Sequence, residues 1–304
     1  SINSITCFNL FLNLLKSFIV IFILVCLGTA QSLVAQRFDY FPLYEKGPGP
    51  VCQQMAQDPS GFMWITTSDG LVRFDGTKIK FYRHEPGDST SLPMNIVDDI
   101  TIADNGRVYF KTVWIPIFFM DPAKEQFFEV KDSTLIEREG IDLAQEWTED
   151  ILALGNDSLW FGNKHLLLYH ADKEQVEVIP IPHKLDSLKK GNWQIRRIKE
   201  DRFDSNYLWI AGRGSLTHFH KYTHACEVFI TQKGVNGCIG GEPFNGMYQM
   251  DENNVWMSSR GGGITHFNNQ NKSFHQYHFE RSGVMGSSVN IAMDLHRKSA
   301  NELW

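Results

Sequence analysis

The sequence predicts an all-β protein, a β-propeller of four-stranded blades, and two observations carry that prediction. The first is a tryptophan-centred phrase recurring at Trp64, Tyr109, Trp160, Trp209, Trp256 and Trp304, at spacings of 45, 51, 49, 47 and 48 residues. A repeat of roughly 40–50 residues holding several short strands marks a propeller, because one blade cannot bury both its faces alone and must stack against the next. The second is the make-up of each period: short apolar runs bounded by Gly, Asn and Asp, which reach tight-turn backbone angles at little cost. Composition agrees, with 13% aromatic and 21% charged residues and only 11 prolines in 304 residues, the balance of an ordered β-rich chain. Helical periodicity is absent after residue 36.

Along the chain, the first element is of another kind. Phe18-Ile19-Val20-Ile21-Phe22-Ile23-Leu24-Val25-Cys26-Leu27 is an apolar core, preceded by Lys16 and followed by the small-residue stretches Gly28-Thr29-Ala30 and Leu33-Val34-Ala35. Residues 1–35 are therefore expected to be a signal peptide or an N-terminal anchor; Asn9, Asn13 and Lys16 interrupt the apolar run short of the roughly 20 residues a spanning helix needs, which favours export. Residues 36–304 are the expected propeller. Arg37-Phe38-Asp39-Tyr40-Phe41-Pro42-Leu43 reads as an outermost strand that completes the last blade. In each following period the innermost strand comes first (52–57, 97–102, 195–199 and 289–295), the tryptophan strand second, the 71–74 type third and the 79–82 type outermost. With Trp304 in the second strand of a sixth blade, the expectation is about five blades plus part of a sixth, truncated at the C-terminus from a ring of seven. Two open edges would make such a piece prone to aggregate.

This order of strands locates a candidate binding face. The turn from second to third strand and the connection from outermost strand to the next blade open on one face, at the mouth of the central channel, where propellers collect ligands. The turns supply Asp69, Trp114, His165, Arg213 and Arg260, four or five residues after each anchor. The anchors vary little between repeats while these tips vary widely, as expected when scaffold is repeated and contact chemistry is not. The connections (83–95, 131–147, 182–193, 232–246 and 279–288) are long, a further pointer to function. An aromatic face with charged groups around it suits a sugar ring and its hydroxyls.

Other patterns dissolve in the repeat. His218, His220, His224 and Cys226 resemble a metal cluster, but Thr217-His218-Phe219 occupies the place of Val72-Arg73-Phe74 and Thr265-His266-Phe267 occupies it again, so no metal is expected. Gly261-Gly262-Gly263 is a turn and opens no helix that could hold a phosphate, and no cofactor is expected. Asp98 and Asp99, adjacent on a strand, are expected on opposite faces and so cannot act as paired carboxylates. No nucleophile elbow or zinc-binding helix motif occurs, and no catalytic residues are assigned. A net charge of −6 excludes a basic nucleic-acid footprint. Of five cysteines, Cys52, Cys226 and Cys238 fall outside the export segment; a Cys226 to Cys238 bridge is chemically allowed but not required.

The stretch Asp58-Pro59-Ser60-Gly61-Phe62-Met63-Trp64-Ile65-Thr66-Thr67-Ser68-Asp69-Gly70-Leu71-Val72-Arg73-Phe74-Asp75-Gly76, followed by Asp88-Ser89-Thr90-Ser91-Leu92-Pro93-Met94-Asn95-Ile96-Val97, resembles the repeat of two-component regulator propellers. The copies at Tyr109 and Trp160 are degenerate, and those at Trp209 and Trp256 recover the pattern. The resemblance covers residues 36–304. It implies the exported sensor region of a hybrid two-component histidine kinase: a periplasmic part of an inner-membrane protein that recognises an oligosaccharide. It further implies a following β-sandwich, spanning helix and kinase core, and a homodimeric receptor. None of the kinase elements falls within these residues. A free exported propeller acting as a lyase, a hydrolase or a scaffold for protein partners is the alternative.

Overall fold

The computed structural model describes residues 51–113, 117–180, 194–212, 214–230, 244–259, 263–277, 294–295, 297–299 and 302–303. The export segment, the strand expected at 37–43 and Trp304 lie outside them.

The described residues form five four-stranded antiparallel sheets, each an up-and-down meander whose order in space is its order in the chain. The first holds β1 (Cys52–Gln57), β2 (Met63–Thr67), β3 (Gly70–Phe74) and β4 (Ile79–Tyr82). The second holds β5 (Val97–Ile102), β6 (Val108–Thr112), β7 (Ile117–Asp121) and β8 (Gln126–Glu129). β9 (Asp150–Leu154), β10 (Ser158–Gly162), β11 (Leu166–His170) and β12 (Gln175–Ile179) make the third. β13 (Ile195–Glu200), β14 (Tyr207–Gly212), β15 (Ser215–His220) and β16 (Cys226–Ile230) make the fourth. β17 (Phe244–Asp251), β18 (Asn254–Ser259), β19 (Gly263–Asn268) and β20 (Ser273–Tyr277) make the fifth, and a short hairpin, β21 (Arg297–Ser299) with β22 (Glu302–Leu303), follows. The first strands of successive sheets lie side by side, so the sheets are the blades of a propeller and their first strands line its channel.

The core lies between blades. Trp64, Leu71 and Tyr82 of the first sheet pack with Ile100, Val108 and Phe110 of the second, and each later pair of sheets repeats the arrangement. The recurring anchor faces the blade that follows it. Trp64, Tyr109, Trp160 and Trp209 are all buried. Burying a side chain of this size is worth about 3 kcal/mol, which is why this position repeats when its neighbours drift.

The turn preceding the first anchor explains its phrase. Asp58 Oδ1 accepts hydrogen bonds from the backbone N–H of Ser60 (2.9 Å) and Phe62 (3.0 Å), while Oδ2 accepts the indole N–H of Trp64 at 2.8 Å. One carboxylate thus closes the β1–β2 turn and satisfies a buried donor. At the opposite end of the hairpin, Gly70 has φ +119°, and a Cβ there would collide with the Tyr82 carbonyl oxygen. Only glycine is accommodated.

Two features differ from the sequence reading. Residues 135–139 form a one-turn helix, α1 (Leu135–Glu139), inside the long second connection. Leu135 is fully buried in the core between the second and third sheets, and Gly140 ends the helix in the left-handed conformation. A single turn is too short to leave a 3.6-residue period. The second difference concerns Asp98 and Asp99. A β-bulge interrupts β5 between Val97 and Asp99, and comparable shifts occur in β1, β13 and β17. The extra residue breaks the alternation of faces. Asp98 and Asp99 consequently both line the channel, contrary to the opposite orientation expected of a regular strand. Of the strand expected at 289–295, Asp294 and Leu295 are described, without regular strand pairing.

Hydrogen bonds tie the first strands across every boundary between sheets. Gln54 Oε1 accepts from Ile100 N (3.1 Å), Thr101 Oγ1 from Ala153 N (3.0 Å) and Asp150 Oδ2 from Ile198 N (2.5 Å), and Arg197 Nε donates to the Asn245 carbonyl. The blades are therefore linked by polar bonds at the channel wall and by apolar packing outside it.

Candidate functional site

Two of the five tips expected from sequence, Asp69 and His165, are described; Trp114, Arg213 and Arg260 lie outside the described residues. Both described tips meet the connections between blades. Arg83, which follows β4, donates from Nη2 to Asp69 Oδ2 at 3.0 Å, and Gly70 N donates to the Asn95 carbonyl at 2.6 Å. His165 Nδ1 lies 3.0 Å from Oε1 of Glu146 in the β8–β9 connection. The two loop classes thus share a face, and the tips are held by partners of opposite or hydrogen-bonding character.

The β8–β9 connection contributes most of the described chemistry at this face. Trp147 is half exposed, and its indole N–H donates to Glu149 Oε1 at 3.1 Å. Glu149 also pairs with Arg196 Nη1 at 2.8 Å. A polar cavity of about 130 Å³ runs between this connection and the end of β6, lined by Lys111, Thr112, Gln145, Glu146 and Trp147. Lys111 also borders the central cavity of about 250 Å³, where it forms an ion pair with Asp98. Lys111 therefore borders both the mouth cavity and the channel.

Inside the channel, Asp99 is buried. Desolvation, then the neighbouring Asp150 charge, pushes its carboxyl up to about 7, against the opposing effect of Lys111, Arg197 and Lys199. Asp150 itself is held by Ile198 N and lies 3.8 Å from Arg197 Nη1. Paired charges on rigid strands can orient a polar ligand through fixed donors and acceptors.

Sequence reasoning passed over Trp147, Glu146, Glu149, Arg196 and Lys111. The length of the 131–147 connection was the one signal that pointed near them. Lys111 lies in a strand whose other residues are apolar or neutral, and only the bulged channel wall gives its charge a partner. His218 has a different task from metal binding: its ring stacks on Trp209 with centroids 4.2 Å apart, as His266 does on Trp256 at 4.5 Å, while Arg73 covers Trp64. Among the described residues no group of three His, Cys, Asp or Glu side chains could hold a metal ion.

Five meandering sheets around a channel, built on this repeat, define a β-propeller. The fold matches the extracellular domain of the hybrid two component system BT3049 from B. thetaiotaomicron with a TM-score of 0.59 and 19% identity, over 90% of this chain and 33% of that one. It also matches the extracellular domain of BT4673 from the same organism (TM-score 0.55, 12% identity, 84% of this chain and 36% of that one). PorZ of Porphyromonas gingivalis, a surface component of the type-IX secretion system, is matched at a TM-score of 0.55 and 13% identity, over 80% of this chain and 36% of that one. In sequence, 36 residues, 12% of the chain, are 53% identical to Histidine kinase P4 of Formosa agariphila, a span that is 3% of that protein. No family model matches. The chain spans about a third of the solved structures it resembles, and at these identities the likeness establishes the fold.

Proposed function

We propose that residues 36–304 are the extracytoplasmic, ligand-sensing propeller of a hybrid two-component histidine kinase, with residues 1–35 serving as its signal peptide or anchor. The kinase, a preceding β-sandwich and a spanning helix would follow in the parent receptor, which would act as a homodimer in the inner membrane with this region in the periplasm. Among the described residues no helix is long and apolar enough to cross a membrane. The ligand is an oligosaccharide bound at the channel mouth, where Asp69, Trp114, His165, Arg213 and Arg260 are the contact candidates from the turns and Trp147 joins them from the β8–β9 connection.

The observation that carries this reading is the fold shared with the extracellular domains of two hybrid two-component systems. Its chemistry is supported by the mouth itself: the half-exposed Trp147 indole, whose N–H is held by Glu149, lies along one cavity with Glu146, the partner of His165. An indole face covers the apolar side of a sugar while the charged pairs take its hydroxyls. Calorimetric titration of the chain with a panel of oligosaccharides tests this. Trp147→Ala should weaken binding about tenfold, the usual cost of losing a stacked aromatic. A chain that binds no glycan but captures a protein partner would overturn it.

A further inference from the structure

The fourth blade departs from the repeat at three positions that meet in one cavity. In the first blade Asp58 satisfies the indole N–H of Trp64. Its counterpart Asp201 is fully engaged elsewhere: Oδ1 accepts from Phe203 N (2.9 Å) and Gln249 Nε2 (3.0 Å), and Oδ2 lies 2.8 Å from His218 Nε2. Trp209, 1% exposed, is left with an indole N–H that has no hydrogen-bond partner. An orphaned buried donor of this kind is destabilising unless something accepts from it.

The residue beside Trp209 is the second departure. Lys199 is its cross-strand neighbour on the same face of the sheet. The corresponding partners of Trp64, Tyr109, Trp160 and Trp256 are Ala56, Thr101, Leu152 and Tyr248. Among the five described blades only the fourth carries a cation there, and no hydrogen bond or ion pair engages Lys199 among the described residues. The third departure is Arg202, whose guanidinium lies over the Tyr248 ring and donates to the Tyr248 hydroxyl at 2.5 Å and the Gln249 carbonyl at 2.7 Å. Trp209, Lys199 and Arg202 together line a cavity of about 280 Å³ between the fourth and fifth blades, which shares Lys199, Met247 and Asp294 with the central channel. Trp256 also has an unpartnered indole N–H, but it borders none of the cavities described here and its cross-strand neighbour is neutral.

We infer that this cavity binds a small carboxylate, reached from the channel. An indole N–H, an ammonium and a guanidinium are donors with no acceptor capacity, so the group that satisfies them must be rich in acceptors and negatively charged. Neither of the cavity's own carboxylates bonds the Trp209 indole, Lys199 or Arg202: Glu200 is paired with Lys221 at 2.9 Å, and Asp294 Oδ1 accepts from Leu295 N at 2.8 Å. Tyr248, Met247, Val255 and Leu295 supply an apolar wall for the carbon skeleton. The volume holds a free short-chain acid or the ring of a single sugar acid. The site is separate from the channel mouth and stands whether or not the mouth binds a glycan.

The chain has eight tryptophans, so its indole N–H resonances can be followed individually, and Trp209→Phe identifies one by deleting it. Titration with acetate, D-galacturonate and neutral D-galactose, each to about 10 mM, should shift that resonance with the two carboxylates and not with galactose. Lys199→Met, which keeps the apolar stem and the fold, should weaken the carboxylate response about tenfold. Equal affinity for acetate and galacturonate assigns a free acid; at least about tenfold tighter galacturonate assigns a sugar acid. Either supports the inference. An unmoved Trp209 resonance, an equal shift with galactose, or an undiminished response in a folded Lys199→Met chain would sink it.

Discussion

Asp58 illustrates how much one side chain decides at the scale of residues. Its carboxylate closes a turn and satisfies the buried Trp64 indole, so Asp58→Ala removes three hydrogen bonds and orphans one donor. A loss of about 2 kcal/mol is expected, read as a lower urea midpoint at unchanged slope. Glu174 carries strain in the other direction: it sits at φ 50° in the β11–β12 turn. The left-handed region costs a side chain more than it costs glycine, so Glu174→Gly should raise stability by roughly 0.5 kcal/mol, a gain of one or two degrees in thermal midpoint. A fall in midpoint would contradict it. The Asp-Pro-Ser-Gly phrase made the first of these residues legible in the sequence. The second was not, because a Glu in a polar turn has no sequence mark of its backbone angle.

Strands and turns were largely legible, since alternation and turn chemistry are local. The connections were not, because what orders them is distant. Leu92 of the 83–96 connection is fully buried between the first two blades, joining Trp64 and Phe110 in one cluster. The loop reaches it through His84 N to Asn95 Oδ1 (2.7 Å) and Phe127 N to the Thr90 carbonyl (3.2 Å). Leu92→Ala should cost about 3 kcal/mol, as for a core leucine rather than a loop residue. Chemical denaturation measures this, and a cost below about 1 kcal/mol would mean the connection is not part of the core. The bulges are also an element-scale matter: a strand read as alternating put Asp98 and Asp99 on opposite faces, and one extra residue in β5 brought both to the channel.

For the whole molecule, the channel wall couples charges contributed by different blades, and the coupling has a pH signature. Asp99 is an acid raised from 3.8 to about 7 by burial and by Asp150, so the folded state holds its proton more tightly than the unfolded chain does. Its contribution to stability is therefore fully present below about pH 4 and is lost as pH rises towards 7. Asp201 runs the opposite way. Burial raises its carboxyl, but bonds from His218, Phe203 N, Gln249 and Asp204 N outweigh it and hold the pKa at about 2, so its contribution is lost as pH falls from 3.8 towards that value. Asp99→Asn should flatten the decline between pH 4 and 7 and leave the acid limb unchanged. Denaturant midpoints measured across that range check it; a wild-type chain with no decline would refute the assignment.

Fold class, the number of complete sheets and the strand order followed from the sequence alone, because a 45- to 51-residue period and the turn residues within it are properties of neighbours along the chain. The tips Asp69 and His165 were found the same way, at a fixed offset from each anchor. Packing between blades decided the rest. It set Glu149 against Arg196, joined Lys111 to Asp98, buried Asp99 against Asp150 and placed Trp209 at a cavity between the fourth and fifth blades. Those pairings span separate repeats or depend on a bulge, and no local pattern encodes which charge will meet which once the sheets close around a common axis.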